Sequence, residues 1–320
     1  MASASPVMPV VAEIVRSGFV EGVHRGSVVG LATDGSIALS VGDPSAAIFP
    51  RSSNKPMQAV GMLECGLALE GELLALASAS HSGEPYHLDG VRKILAGAGL
   101  DVADLQTPPD YPYDADAQRD WVRAGHGPER VAMNCSGKHA AMLATCVVNG
   151  WDIGSYREPT HPLQAALRAT LEQLAGEPVT AVGIDGCGAP IFAITLLGLA
   201  RAGRACVLAA EGTPPRRVAD AMRAHPEWVG GTRRDVTALM RGVPGLMAKD
   251  GAEAVQVVAL ADGRAVAIKI DDGGQRARPV VVAAALQALG VDAPVVTEQL
   301  TVAVLGGGEP VGAVRPVRLV

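Results

Sequence analysis

Ser52 and Lys55 stand three residues apart in FPRSSNKPMQAV (Phe49–Val60), directly ahead of Pro56 and an apolar run. On the first turn of a helix, residues at that spacing share a face, so the lysine amine can reach the serine hydroxyl. A neutral lysine can take a serine proton where burial or a neighbouring cation lowers its pKa, and the hydroxyl becomes a nucleophile. Pro56 suits a first turn, whose N–H groups have no intrahelical partner, and the positive helix end favours a developing anion. The structural alternative is that Ser52 caps the helix and Lys55 is a solvated charge. Ser-x-x-Lys alone does not decide between the two.

A second serine and a second lysine bear on that choice. ASASHSGEP (Ala77–Pro85) ends an apolar helix in a polar, glycine-bearing turn that presents Ser80, His81 and Ser82. Late in the chain, AVAIKIDDGG places Lys269 in a strand. Alternation sends Val266, Ile268 and Ile270 to one face and Ala265, Ala267 and Lys269 to the other, where the lysine looks outward. A solvated lysine on a sheet edge is the alternative.

Thiols supply further chemistry. MNCSGKHAAMLATC puts Cys135, Lys138 and His139 at the start of a helix, and GIDGCGAPI puts Cys187 in a glycine-flanked turn beside Asp185. A helix start stabilises a thiolate, which favours metal binding or reactivity. Two thiolates could hold zinc with His139 or another nitrogen as third ligand, or form a redox pair. Cys65, Cys146 and Cys206 lie in apolar surroundings and read as packing residues. His81, His87 and His139 are candidate ligands or satisfied polar residues.

The elements that position these groups follow a strand–helix–strand order. GSVVGLATDGSIALSVG holds two β-branched runs joined by Asp34-Gly35, a hairpin signal. The pattern then predicts helices over Met57–Leu69, Leu88–Ala98, Lys138–Val148, Pro162–Ala175, Ile191–Ala202 and Pro215–Ala224. Pro162 suits a first helical position and Asn149-Gly150 a C-terminal cap. AVQVVAL and RAVAIKI flank Ala261-Asp262-Gly263, a second hairpin, and a helix over Pro279–Leu289 precedes short strands to Val320. The Pro- and Asp-rich stretch Gln106–Gln118 reads as a surface loop or lid. Terminal strands can pair into one antiparallel sheet while the middle forms a helical lobe. The expectation is one unit over residues 1–320, with a mixed α/β lobe from about 1–60 and 246–320, a helical middle from about 61–245, and a ligand cleft between them.

Bulk composition narrows the function. With 48% hydrophobic and 19% charged residues the chain folds as a globular protein, and 320 residues give it an ample core. A net charge of −6 with scattered Arg and Lys, and 3% aromatic residues, argue against nucleic acid as a partner. No apolar run is long enough to span a membrane, and MASASPVMPVVAEIV does not read as a signal peptide. Five cysteines do not make a disulfide framework, so a cytoplasmic location is expected.

Six blocks in register resemble the rhizobial-type (class 3) L-asparaginase family: RSSNKPMQA (51–59), SHSGEP (80–85), NCSGKH (134–139), DGCGAP (185–190), HPEWV (225–229) and AIKIDDG (267–273). The resemblance implies a serine β-lactamase/glutaminase-like α/β fold and hydrolysis of L-asparagine to L-aspartate and ammonia. It implies two Ser–Lys tandems, mapped here to Ser52 with Lys55 and Ser80 with Lys269, with Ser52 expected as the nucleophile. It also implies a zinc ion on Cys135, Lys138 and Cys187, with the lysine rather than His139 as nitrogen ligand. Arg51, His139 and Asp185 are the expected substrate-binding residues, Asp185 for the α-ammonium. A homodimer is expected on the same grounds. The competing readings are a penicillin-binding or β-lactamase-type hydrolase, a glutaminase, and a non-enzymatic zinc-binding module. The first requires a Lys-Thr-Gly strand, whereas Lys269 is followed by Ile270 and Asp271.

Overall fold

Eleven strands and twelve helices are found among residues 8–319, the residues described in this computed structural model. Residues 1–7, which open the stretch read as carrying no signal peptide, and Val320 lie outside them. The strands are β1 (Val10–Arg16), β2 (Phe19–Leu31), β3 (Ile37–Val41), β4 (Ala47–Ile48), β5 (Ala181–Ile184), β6 (Pro190–Thr195), β7 (Leu246–Gly251), β8 (Val255–Leu260), β9 (Ala265–Ile270), β10 (Val302–Gly306) and β11 (Glu309–Pro316). The helices are α1 (Lys55–Glu64), α2 (Gly71–Ala77), α3 (Pro85–Gly97), α4 (Ala115–Arg123), α5 (Ser136–Asn149), α6 (Pro162–Ala175), α7 (Leu196–Leu208), α8 (Pro214–Ala224), α9 (Pro226–Val229), α10 (Asp235–Gly242), α11 (Ala277–Ala288) and α12 (Pro294–Glu298).

The main sheet is antiparallel, in the order β10-β11-β1-β2-β9-β8-β7, with β3 also paired to β2. Strands from the two ends of the chain therefore meet, as the sequence pattern predicts: Ala12 faces Pro316 and Ser27 faces Lys269. β2 is long because it serves two partners, β1 along its first half and β9 along its second. The changeover falls at Gly26, where a Cβ atom would lie 2.2 Å from the Lys269 carbonyl oxygen. Only glycine lets the two backbones approach this closely. Every residue of β7 and of β8 is buried, so this half of the sheet is covered on both faces. That differs from the outward-looking small face expected of β9, where only Lys269 escapes full burial.

Both Asp-Gly hairpins form, β2 with β3 and β8 with β9. α6 has the predicted bounds, and α5 ends on Gly150 in a left-handed conformation. Two expectations fail. The helix predicted over Ile191–Ala202 is strand β6 up to Thr195 and helix α7 beyond, with Thr195 Oγ1 accepting from the Gly198 N–H as the cap. Five apolar residues before a threonine cap satisfy either period, and pairing with β4 and β5 decides for the strand. The helix predicted over Met57–Leu69 stops at Glu64, because Gly66 turns left-handed at φ +89°.

α1 and α5 form the interior on which the site rests. Lys55 through Leu63 and Ser136 through Cys146 are buried without interruption. α5 packs hard on α2: a Cβ on Gly137 would lie 2.6 Å from the Leu76 carbonyl oxygen. This contact fixes the start of α5, and with it Cys135 and Lys138, beside the Ser78–Glu84 segment that leaves α2.

Candidate active site

The turn before α1, the segment after α2, the start of α5, the β5–β6 turn and the end of β7 converge on one cavity of about 400 Å³. Arg51 opens the first of these in the left-handed region, at φ +52°, and its Nε donates to Asp185 Oδ1 at 2.7 Å. Glu253, which also lines the cavity, and Ala254 are left-handed too, at φ +57° and +50°. Such conformations are costly for residues with a Cβ and persist where surrounding contacts enforce them.

Ser52 and Ser80 both line the cavity, but Lys55 serves only one of them. Its buried amine donates to the Ala79 carbonyl, lies 3.1 Å from Ser80 Oγ and 3.0 Å from Cys135 Sγ. Those three contacts use the three donor directions of an ammonium, and none points to Ser52. The expected pairing of Ser52 with Lys55 is therefore replaced by Ser80 with Lys55. Lys269 does not meet Ser80 at all: its amine donates to the carbonyls of Glu253, at 2.8 Å, and Ile270. It props the strained Glu253 turn from behind. The physical reason is register, since Lys269 stands opposite Val255 on β8, beside that turn.

A second buried amine, Lys249 on β7, has no place in the sequence reading and lies close enough to Lys55 to feel its charge. It is fully buried and donates to Asp250 Oδ1 at 2.8 Å and to the Asp250 carbonyl at 2.7 Å. Burial pulls its pKa down to about 8, against the Asp250 carboxylate and with help from the Lys55 charge. β7 lies flat on the Ser52 turn, where a Cβ on Gly251 would meet the Pro50 carbonyl oxygen at 2.9 Å and Ser53 Oγ at 3.0 Å. Lys249-Asp250-Gly251 is thus a Lys-x-Gly strand beside a Ser-x-x-Lys helix, with Asp250 where the Lys-Thr-Gly strand of penicillin-binding enzymes has threonine. A lysine two residues before a glycine in an otherwise apolar run was the signal available.

The thiols meet as well. Cys135 stands at the N-cap position of α5 and donates to Asn134 Oδ1 at 3.0 Å, Cys187 sits in the β5–β6 turn, and the two pack together in a small buried cluster. Lys138 Nζ lies 3.2 Å from Cys187 Sγ. The neighbouring Cys135 thiol and the charge of Lys138 lower the Cys187 pKa, whereas the neighbouring Cys187 and burial push that of Cys135 up. Burial depresses the Lys138 pKa, but the Cys187, Cys135 and Asp185 charges outweigh it and raise it. His139 shares a hydrogen bond with the Tyr156 hydroxyl through Nδ1 (2.7 Å) and leaves Nε2 buried, facing Cys187 without a close partner. Two sulfurs and an amine converging at the cavity wall make a soft donor set that suits zinc. Among the described residues no group of three His, Cys, Asp or Glu is placed to hold a metal ion, so a third ligand beside the two thiols has to be the Lys138 amine.

A family model described as L-asparaginase II matches residues 12–316. The chain belongs to the L-asparaginase II family. No curated protein is significantly similar to it. Among solved structures it is similar to a β-lactamase from Mycobacterium bovis, at 12% identity over 83% of this chain and 95% of that one, with a TM-score of 0.47. EstCE1, a hydrolase with promiscuous acyltransferase activity, is 11% identical over 82% and 93%, with a TM-score of 0.42. Mglu in its native form is 13% identical over 81% of this chain and 62% of that one, again at 0.42, so the chain spans less than two thirds of Mglu. The L-asparaginase II match covers all six motif blocks and every residue of the cavity. No helix among the described residues of this family member is long and apolar enough to cross a membrane.

Proposed function

We propose that the protein hydrolyses L-asparagine to L-aspartate and ammonia, with Ser80 as the attacking hydroxyl and Lys55 as its base. The observation that carries this reading is the buried Lys55–Ser80 contact at 3.1 Å on the cavity wall. A nucleophile within hydrogen-bond reach of an amine held by a third group is the arrangement that covalent catalysis requires. The Ala79 carbonyl is that third group. Ser80 Oγ adds to the side-chain amide carbon as its proton passes to a neutral Lys55. That proton then goes to the departing ammonia, and water releases aspartate from the acyl-serine.

A second reading keeps Ser52 as nucleophile. It is favoured by the left-handed Arg51 that immediately precedes Ser52 at the mouth of α1. Ser80→Ala and Ser52→Ala, each exposed to asparagine and quenched in acid, separate the two by mass spectrometry. The acyl adduct and turnover vanish with the true nucleophile. Loss of neither would remove covalent catalysis from the account.

We further propose that zinc is held by Cys135, Lys138 and Cys187, with His139 behind them. When bound, the ion would supply positive charge for orienting the substrate. Lys138 must shed its proton to serve as a ligand, against surroundings that raise its pKa, whereas the surroundings of Cys187 lower its pKa and favour the ligating form. Asp185 would take the substrate α-ammonium. The reading is completed by a two-lobed single unit that is a homodimer and resides in the cytoplasm. Light scattering at a monomer mass, or fractionation outside the cytoplasm, would remove the last two points.

A further inference from the structure

Arg234 lies at the start of α10 and lines the same cavity as Asp185. Its Nη2 donates to Asp250 Oδ2, while Nη1 is buried and has no hydrogen-bond partner. A buried guanidinium nitrogen left unpaired is costly, so it calls for an acceptor. The surrounding charges do not provide one. Arg278 is matched by Asp235 at 2.8 Å, whereas Asp250 is shared between Lys249 and Arg234. Two cations thus divide one carboxylate. Arg51, which also lines the cavity, has the reverse imbalance: it stands between two carboxylates, 2.7 Å from Asp185 and 3.7 Å from Glu253.

Tyr113 covers the unpaired end. Its ring lies over the Arg234 guanidinium at 4.9 Å, within cation–π range. The loop carrying Tyr113 is held in place on both sides. The Asp114 N–H donates to the Ser82 carbonyl at 2.9 Å, and Arg233 grips Asp114 at 2.7 Å. Successive arginines therefore divide the work, Arg233 fixing the loop and Arg234 facing the cavity beneath it.

We infer that Arg234, roofed by Tyr113, binds the substrate α-carboxylate, and that Arg51 is a positioning residue for Asp185 rather than the carboxylate clamp. The inference rests on the asparaginase reading and assigns its specificity. A zwitterion is then oriented by two opposed imbalances, ammonium toward Asp185 and carboxylate toward Arg234, with its side-chain amide left to reach Ser80. An arginine fork suits a carboxylate better than an ammonium point charge does.

The test compares three amides: L-asparagine, 3-aminopropanamide, which lacks the α-carboxylate, and succinamate, which lacks the α-ammonium. Arg234→Gln should lower kcat/KM for asparagine roughly 10- to 100-fold, mainly through KM, and leave 3-aminopropanamide unchanged. Arg234→Lys should recover part of the loss, and Asp185→Asn should erase discrimination against succinamate instead. Should Arg234→Gln fail to fold, Tyr113→Leu, at an exposed ring, gives the same selective rise in KM on a smaller scale. An equal loss on asparagine and 3-aminopropanamide, or unchanged discrimination, overturns the assignment. If the wild type hydrolyses none of the three, the asparaginase reading fails separately. Calorimetry of L-aspartate against β-alanine then decides Arg234 by itself: equal affinities overturn it, and a preference for L-aspartate lost in Arg234→Gln sustains it.

Discussion

Lys249→Met is the substitution whose effect can be worked furthest. Burial drops the Lys249 pKa from its ordinary 10.5 to about 8 in the folded protein. Between those two values the unfolded chain binds more protons than the native one, so stability rises with pH. Below pH 8 both states are charged, and the fold bears the whole cost of burying the ammonium. At about 1.4 kcal/mol per pH unit, relief is about 3 kcal/mol at full deprotonation and about 2.5 kcal/mol by pH 10. Methionine has no proton to lose, and Asp250 keeps Arg234 as its partner in the variant. Urea denaturation followed by circular dichroism, from pH 7 to pH 10, gives the two stability curves. Their difference should grow by about 2.5 kcal/mol in favour of the wild type, since thiols and tyrosines titrate in both proteins and cancel. Parallel curves would refute the depressed amine. They would also remove Lys249 as a group that exchanges protons near pH 8.

Lys55→Arg should be inactive, because a guanidinium keeps its proton at any working pH; retained turnover would exclude Lys55 as the base. Protein purified without added metal should carry about one zinc per chain, and Cys187→Ser should lose it; elemental analysis reads both, and a wild type that takes up none on titration refutes the site. Gly26→Ala should cost about 1–3 kcal/mol by forcing β2 from β9, and an unchanged thermal midpoint would contradict the close approach there.

Local signals carried much of the fold. Asp34-Gly35 and Asp262-Gly263 marked hairpins because the chain there needs a left-handed residue, and both glycines adopt one. α6 announced itself by Pro162 at its start and a left-handed Gly176 at its end. β7 escaped notice because burial on both faces erases alternation, leaving six residues with no readable period. The site was legible in its residue types more than in its pairings. Arg51, Ser52, Ser80, Cys135, Asp185 and Cys187 line the cavity, with Lys55, Lys138 and His139 against them. Which amine meets which hydroxyl depends on how α1 packs against the segment after α2, and no spacing along the chain reports that. Lys269 looked apt because it was the lone polar residue in its strand, but strand register aims its amine at Glu253 rather than at Ser80.

The two partners of β2 set a problem of timing. Gly26 pairs with Ile270, so the second half of β2 is synthesised 244 residues ahead of β9. At 5–20 residues per second that delay is roughly 12 to 50 seconds on the ribosome. Throughout it, an apolar strand has one edge open and only the β3 hairpin for company. The helices from α1 to α10 emerge in the meantime and can pack on one another, α1 against α6 and α8 and α3 against α5. The cavity must be completed late, when β7 closes on the Ser52 turn and brings Asp250 to Arg234. Nascent chains stalled before residue 246 would therefore hold Ser80 beside Lys55 yet lack the wall that Asp250 and Gly251 build, and holdase chaperones that mask strand edges should engage them most strongly.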